Sequence, residues 1–151
     1  MNEEHTKSLL AALMLLSLFG LAIYYVLTIP EETPIEASQL VILKPSRALH
    51  LGSEAELIIT AVSDEGLLDS SRNDLVNVYL SPNSHAQLGY SDKSRTIWHN
   101  SLIIKLEKGQ CQLKFIDKHM ERVYISVEWL EGKSPLDSNI IELYPGGPYI
   151  S

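Results

Sequence analysis

The chain has 151 residues and one cysteine, and 12 lysine and arginine residues against 19 aspartate and glutamate residues give it a net charge of −7. The acidic balance excludes a nucleic-acid partner, because neutralising phosphates takes clusters of basic side chains. One cysteine excludes an intramolecular disulfide, and the sequence has no Asn-x-Ser/Thr glycosylation site. We therefore expect a prokaryotic, extracytoplasmic protein.

The first feature of the chain is an apolar run, Leu9–Ile29, that contains no charged side chain. As a helix rising about 1.5 Å per residue, it spans about 30 Å, the thickness of a bilayer's hydrocarbon core. The run is longer than the roughly 7–15 apolar residues of a cleaved signal peptide. We predict an uncleaved transmembrane helix at Leu9–Ile29, with a head at 1–8 before it and a linker at 30–38 after it.

Positive charge sets the expected orientation of this helix. Lys7 and the amino terminus precede the apolar run, and no lysine or arginine follows it until Lys44. Because positive residues stay on the cytoplasmic side, we expect a single-pass protein of the cell membrane with its N-terminus inside and its domain outside. The lipid bilayer, contacted through Leu9 to Ile29, is then its first partner.

A short charged leader directly before an apolar helix, followed by a β domain, also resembles the signal of type IV pilin-like and archaellum-like proteins. That resemblance implies cleavage near Lys7-Ser8 and a role as a filament component. The glycine or alanine that customarily precedes the cut is absent here, as is the glutamate near the start of the helix. This is the alternative to a simple membrane anchor.

From Gln39 onward the apolar pattern changes to the alternation of period two that is typical of strands. It is clearest at Glu54–Val62, Leu75–Leu80 and Arg122–Leu130. Further strands are predicted at Gln39–Leu43, Leu102–Leu106, 111–116 and Asn139–Tyr144, with two short edge strands around Gln87-Leu88 and Thr96–Trp98. About seven short strands separated by turn signals predict an all-β, two-sheet antiparallel β-sandwich at 39–144, with a tail at 145–151.

Several residues of this region resemble prokaryotic immunoglobulin-like domains of the invasin and intimin type. They are Gly52 before a strand that ends in Asp64-Glu65-Gly66, then Val76 and Val78, and later the runs LEKGQCQLKFID and RVYISVEWLEG. The resemblance covers about residues 39–144 and implies an Ig-like sandwich. These motifs specify turns and core positions and carry no chemistry, so the resemblance bears on fold more than on function.

The sequence carries no catalytic, cofactor-binding or metal-binding motif, so we predict neither an enzyme nor a small-molecule substrate. Its five histidines lie at no ligand spacing and are expected at the surface. Cys111 alternates inward with Leu113 and Phe115, which favours a core thiol. The acidic loop from Asp64 to Asp74 is expected to be a solvated turn, with calcium binding as the alternative.

Three aromatic residues are candidates for an interface. Tyr79 and Tyr124 fall on the outward positions of their strands, and Trp98 lies in a polar stretch, SRTIWHN, where it could anchor a partner. Trp129, by contrast, continues an inward face and is expected in the core. The sequence thus favours a structural, adhesion or assembly module that docks an envelope or membrane protein through its sheet edges and loops.

Overall fold

The computed structural model describes residues 2–30, 32–92 and 94–147. It divides into two compact units, of which the first ends at Pro34 and the second begins at Ile35.

The first unit is one helix, α1 (Glu3–Thr28), of 26 residues. It begins six residues before the predicted start at Leu9, so the head is helical from Glu3; Glu3 and Glu4 lie in the first turn, where carboxylates interact favourably with the helix dipole. The helix ends just before Pro30, which disfavours helical geometry in the residue before it. None of its residues is buried, and an 18-residue window within it has a mean hydropathy of 2.3. In the described part of the chain, α1 is the one helix long and apolar enough to cross a membrane, as an anchor or as a signal sequence.

The second unit consists of antiparallel strands in two sheets, which confirms the all-β prediction. Its nine strands are β1 (Gln39–Leu43), β2 (Ala55–Val62), β3 (Leu75–Leu80), β4 (Gln87–Asp92), β5 (Arg95–His99), β6 (Ser101–Lys105), β7 (Gln110–Ile116), β8 (Val123–Glu131) and β9 (Asn139–Leu143). The five-stranded sheet has the order β1-β2-β7-β4-β5, and the four-stranded sheet has the order β6-β3-β8-β9.

Seven of these strands pair like the strands of an Ig-like sandwich. β1, β2, β7 and β4 correspond to the A, B, E and D strands of one sheet, and β3, β8 and β9 correspond to C, F and G of the other. β5 pairs with β4 at one edge, and β6 pairs with β3 at another. β4 and β5 are the two short strands predicted around Gln87-Leu88 and Thr96–Trp98 in addition to the other seven, and β4 lies between β7 and β5 rather than at an edge as predicted.

The core lies between the two sheets and is built from the predicted inward positions. Leu57, Ile59 and Ala61 of β2 are fully buried, as are Val76 and Val78 of β3. Because side chains alternate across a strand, the residues between them face away from the core. The alternation in the sequence therefore correctly predicts which face of each sheet is turned toward the core.

The chain enters the sandwich at one end, which we call the linker end. Ser38 N–H donates to Val62 O over 2.9 Å, and Asp137 N–H donates to Ser38 O over 2.9 Å. The start of β1 is thereby joined to both sheets, and the compact unit begins four residues before the predicted start at Gln39.

The opposite end, the far end, carries the loops 44–54, 81–86 and 117–122 and the segment after β9. Pro145 is buried, and Gly146 N–H donates to Leu49 O over 2.8 Å, so ordered structure continues past the predicted end at Tyr144. Residues 148–151 of the predicted tail lie outside the described residues.

Candidate interaction surface

Two of the three predicted interface residues lie on one surface. Tyr79 on β3 and Tyr124 on β8 both point away from the core of the four-stranded sheet. Trp98 lies on β5 of the other sheet. The structure thus brings Tyr79 and Tyr124 to one face and separates Trp98 from them.

We define the outer face of the four-stranded sheet by its outward residues Asn77, Tyr79, Ser101, Ile103, Tyr124, Ser126, Glu128, Ile140 and Glu142. Tyr79 lies opposite Ser101 on one side and Ser126 on the other, and Ser126 lies opposite Ile140. Side chains directly opposite on one face are about 5 Å apart, so they form a continuous row. Ile103 and Ile140 are 68% and 61% exposed, which leaves two large aliphatic side chains in water on this face.

The hydroxyl of Tyr79 is held in place on this outer face. It donates to Glu128 Oε1 over 2.7 Å, and this bond, followed by partial desolvation, raises the pKa of the Tyr79 phenol above its ordinary value. Tyr124 is fixed through its backbone, because Ser81 N–H donates to Tyr124 O over 2.9 Å. The bond to Glu128 orders the Tyr79 side chain, and an ordered aromatic side chain loses little entropy on binding and commonly anchors an interface.

Trp98 packs against its own hairpin. It lies directly opposite Gly89 on β4, and a Cβ on Gly89 would lie 2.8 Å from Trp98 Cζ3 and 2.6 Å from Thr96 Cγ2. The indole therefore covers the bare backbone of Gly89 and is half-buried there. The predicted role of Trp98 as a separate interface anchor remains a prediction.

The acidic loop contains a network that the sequence pattern did not indicate. Asp69 and Asp74 are 3% and 2% exposed, and between them Arg72 is 1% exposed. The expectation of a solvated loop is therefore wrong for these two aspartates. Arg72 is the only lysine or arginine between Asp64 and Asp74. This lone cation between carboxylates is the sequence signal from which the network could have been predicted.

Arg72 supplies the positive charge that the alternative prediction assigned to calcium. Its Nη1 lies 3.2 Å from Asp74 Oδ2, although no N–H of Nη1 is aligned for a hydrogen bond, and Nη2 donates to Ser134 Oγ and Ser134 O over 2.9 and 3.1 Å. Burial opposes ionisation of Asp69, but donors from Ser71 and from Ala37 N–H outweigh it and hold the pKa of this carboxyl below its usual value.

Trp129 completes the network, since its Nε1–H donates to Asp74 Oδ2 over 2.8 Å. Its ring packs against the core, as predicted.

A second polar cluster joins two far-end loops. The rings of His85 and His119 stack with centroids 4.0 Å apart, and Glu121 accepts from His85 N–H over 2.6 Å. Burial and then the nearby Glu121 raise the pKa of Asp117, while bonds from His85 outweigh burial and lower the pKa of Glu121. Within residues 2–30, 32–92 and 94–147, no group of three or more His, Cys, Asp or Glu side chains is placed to hold a metal ion.

No protein-family model matches the sequence, and no curated protein matches it. Solved structures do match the fold. A glycosyl hydrolase family 2 member from Bacteroides cellulosilyticus is similar with a TM-score of 0.55 and 15% identity, over 77% of this chain and 15% of that chain. A β-glycosidase from Bacteroides vulgatus has a TM-score of 0.54 and 9% identity, over 72% of this chain and 14% of that chain. A β-glucuronidase from Parabacteroides merdae has a TM-score of 0.50 and 12% identity, over 75% and 13%.

These likenesses show a β-sandwich fold. The chain spans about one seventh of the length of the enzymes that it matches, and a fold shared at this level of identity carries no catalytic site with it.

Proposed function

We propose that this protein is a single-pass membrane protein that displays one Ig-like domain of the invasin and intimin type outside the cell, as an interaction module for an envelope or membrane protein. The observation that carries the proposal is α1, in which none of 26 residues is buried and which is long enough to span a bilayer. A soluble protein would bury such a helix, because leaving this much apolar surface in water is unfavourable.

The short connection supports a role at the membrane surface. Six residues separate Thr28, the end of α1, from Ile35, the start of the sandwich unit. An extended chain of this length reaches at most about 20 Å. The domain is therefore tethered near the headgroups, where a partner in the same envelope meets it at high effective concentration.

The outer face of the four-stranded sheet is the proposed docking surface. It combines Tyr79 and Tyr124 with the exposed Ile103 and Ile140, and aromatic side chains are enriched in the centres of interfaces. The proposal includes no enzymatic activity, since the enzymes with a similar fold match over about one seventh of their length. The alternative role as a filament component is not favoured by the fold or by the comparisons.

Photo-crosslinking in native membranes tests this proposal. A photoreactive amino acid replaces Tyr79 or Tyr124 on the outer face, and Gln112 on the opposite sheet serves as the matched exposed control. We expect one discrete adduct from the two tyrosine positions and none from Gln112. The same adduct from all three positions, or no adduct from any of them, would refute the outer face as the docking surface.

Protease protection tests the anchor separately. In intact cells we expect an externally added protease to digest the sandwich and to leave a fragment that contains α1 in the membrane fraction. A protein that alkaline carbonate releases from the membrane, or that external protease does not reach, would refute the proposed topology.

A further inference from the structure

A cationic groove lies at the far end of the sandwich. It has a volume of 370 Å³ and is lined by residues 44–45 and 47–49, by Arg122 of the loop before β8, by residues 142–144 and by Gly147. We call it the far-end groove. Three of the chain's 12 lysine and arginine residues line it, namely Lys44, Arg47 and Arg122.

The charges of the far-end groove are only partly compensated. Arg122 Nε lies 3.6 Å from Glu142 Oε1, the one carboxylate that lines the groove. Within the described residues, Lys44 and Arg47 have no carboxylate within 4 Å. Glu54 and Glu56 line the adjoining groove that shares Lys44 and Arg47, and Glu54 lies 3.1 Å from Lys114. The lining of the far-end groove itself has three cations and one carboxylate, and this surplus focuses the field on the cleft.

The groove is held in shape by the fold around it. Gly146 N–H donates to Leu49 O over 2.8 Å and so holds the segment after β9 against residues 44–49. Leu49 in turn packs against the core. The guanidinium carbon of Arg122 lies 5.9 Å from the centroid of the Tyr144 ring, an arrangement in which the ring stabilises the cation. The ring and Glu142 together orient Arg122, whose charge this exposed carboxylate compensates only in part.

We propose that the far-end groove binds a multivalent oxyanion, which carries at least two phosphate or carboxylate groups. The planar guanidinium groups of Arg47 and Arg122 suit the paired oxygens of such groups, and Lys44 adds a third positive charge. One exposed ion pair contributes at most about 1 kcal/mol, so useful affinity requires that several anionic groups bind together.

This site is distinct from the proposed docking surface but adjoins it, because Glu142 lies directly opposite Tyr124 in the β8–β9 pair. The inference does not rest on the role of α1, so anion binding and membrane anchoring can each fail without the other.

Titration calorimetry of the full-length protein in an uncharged detergent tests the inference, with tripolyphosphate and citrate as separate probes for phosphate and carboxylate. We expect binding of at least one probe at an ionic strength of about 0.01 M and marked weakening at about 0.15 M, where the Debye length falls from about 30 Å to about 8 Å. The variant Lys44→Gln/Arg47→Gln should bind at least about tenfold more weakly, equivalent to about 1.4 kcal/mol. These side chains are exposed, so the variant should fold.

The matched control is Arg95→Gln/Lys105→Gln, which removes one arginine and one lysine that are exposed and lie outside the groove. We expect less than about a twofold change in affinity, because these charges act only through the screened field of the whole protein. Equal weakening in both variants, unchanged binding in the groove variant, or no binding of either probe at low ionic strength would each overturn the inference.

Discussion

Arg72 and Asp74 form an ion pair that is almost completely removed from water, with Nη1 3.2 Å from Oδ2 and side chains that are 1% and 2% exposed. The pair ties the loop before β3 to the β8–β9 loop through Ser134, and to β8 through the indole of Trp129. Two loops and a strand of the linker end are thus held by one buried cation. This network fixes the end of the sandwich at which the chain arrives from α1.

Replacing Arg72 should therefore be severely destabilising. Arg72→Ala leaves Asp69 and Asp74 buried without their cation, and we expect a loss of about 3–5 kcal/mol in the free energy of unfolding. Arg122→Ala is the control, because its ion pair with Glu142 is exposed and should contribute less than about 1 kcal/mol. Urea unfolding followed by tryptophan fluorescence measures both. Similar losses in the two variants would contradict the assigned role of Arg72.

The same network predicts that calcium does not stabilise the folded protein through this loop. Asp69 and Asp74 already face Arg72, and a divalent ion would have to displace a buried guanidinium. We expect the thermal midpoint to change equally little with Ca²⁺ and with Mg²⁺. A selective rise of several degrees with Ca²⁺ would show that the loop binds this ion after all.

The sequence predicted the strands well and this network poorly, and the reason is distance along the chain. Each strand face is encoded locally, because alternate residues such as Val123, Ile125 and Val127 face one layer whatever lies beyond them. The charges of the loop are paired over longer separations: Trp129 lies 55 residues from Asp74, and Ser134 lies 62 residues from Arg72. The alternation of apolar and polar residues does not indicate contacts between residues so far apart. The carboxylates of this loop were therefore expected to be solvated.

The candidate interaction surface, too, could be predicted from the sequence only in part. The outward positions of Tyr79 and Tyr124 follow from alternation, but their placement on one face depends on the β3–β8 register, which a single sequence does not specify. The stacking of His85 on His119 could not be predicted from the sequence, because it depends on two far-end loops that the sandwich topology brings together. The far-end groove likewise joins residues 44–49 to residues 122–147.

Asp117 and Glu121 should respond oppositely to neutralisation. The pKa of Asp117 is raised by burial and by Glu121, so its ionised form destabilises the fold at neutral pH, and acidification through the raised pKa relieves this cost. Asp117→Asn should therefore raise the free energy of unfolding near neutral pH. The gain should disappear as the pH falls below the ordinary range of an aspartate.

Glu121→Gln is the matched comparison in the same loop. Hydrogen bonds from His85 lower the pKa of Glu121, so its ionised form stabilises the fold above its ordinary pKa, and this contribution is lost as the pH falls through the lowered value. We expect Glu121→Gln to destabilise near neutral pH and to converge with the wild type in acid. Urea unfolding across a pH series measures both variants. Changes of the same sign would contradict the assignment.

Cys111 should be unreactive in the folded protein. Burial raises the pKa of its thiol from 9.0 to about 12, despite an opposing backbone hydrogen bond from Ile59, and its side chain packs against the core. Because the thiolate is the reacting species, we expect labelling by a disulfide reagent at about pH 8 to be about a thousandfold slower than for a free thiol. Addition of urea should restore the ordinary rate. Rapid labelling of the native protein would instead mark Cys111 as available for a covalent link to a partner.

Gly89 and Trp98 should be coupled in the stability of the β4–β5 hairpin. A Cβ at position 89 would lie 2.8 Å from Trp98 Cζ3, too close for any real contact, so Gly89→Ala must displace the indole or the strand. We expect this substitution to cost about 1–3 kcal/mol, the usual range for overpacking. In the background of Trp98→Ala the same substitution should cost less than it does in the wild type, because only the Thr96 methyl group, 2.6 Å from the new Cβ, still has to move. A double-mutant cycle by urea unfolding measures the coupling. Additive effects would show that the indole does not rest on Gly89, and Trp98 would then be free to anchor a partner as the sequence suggested.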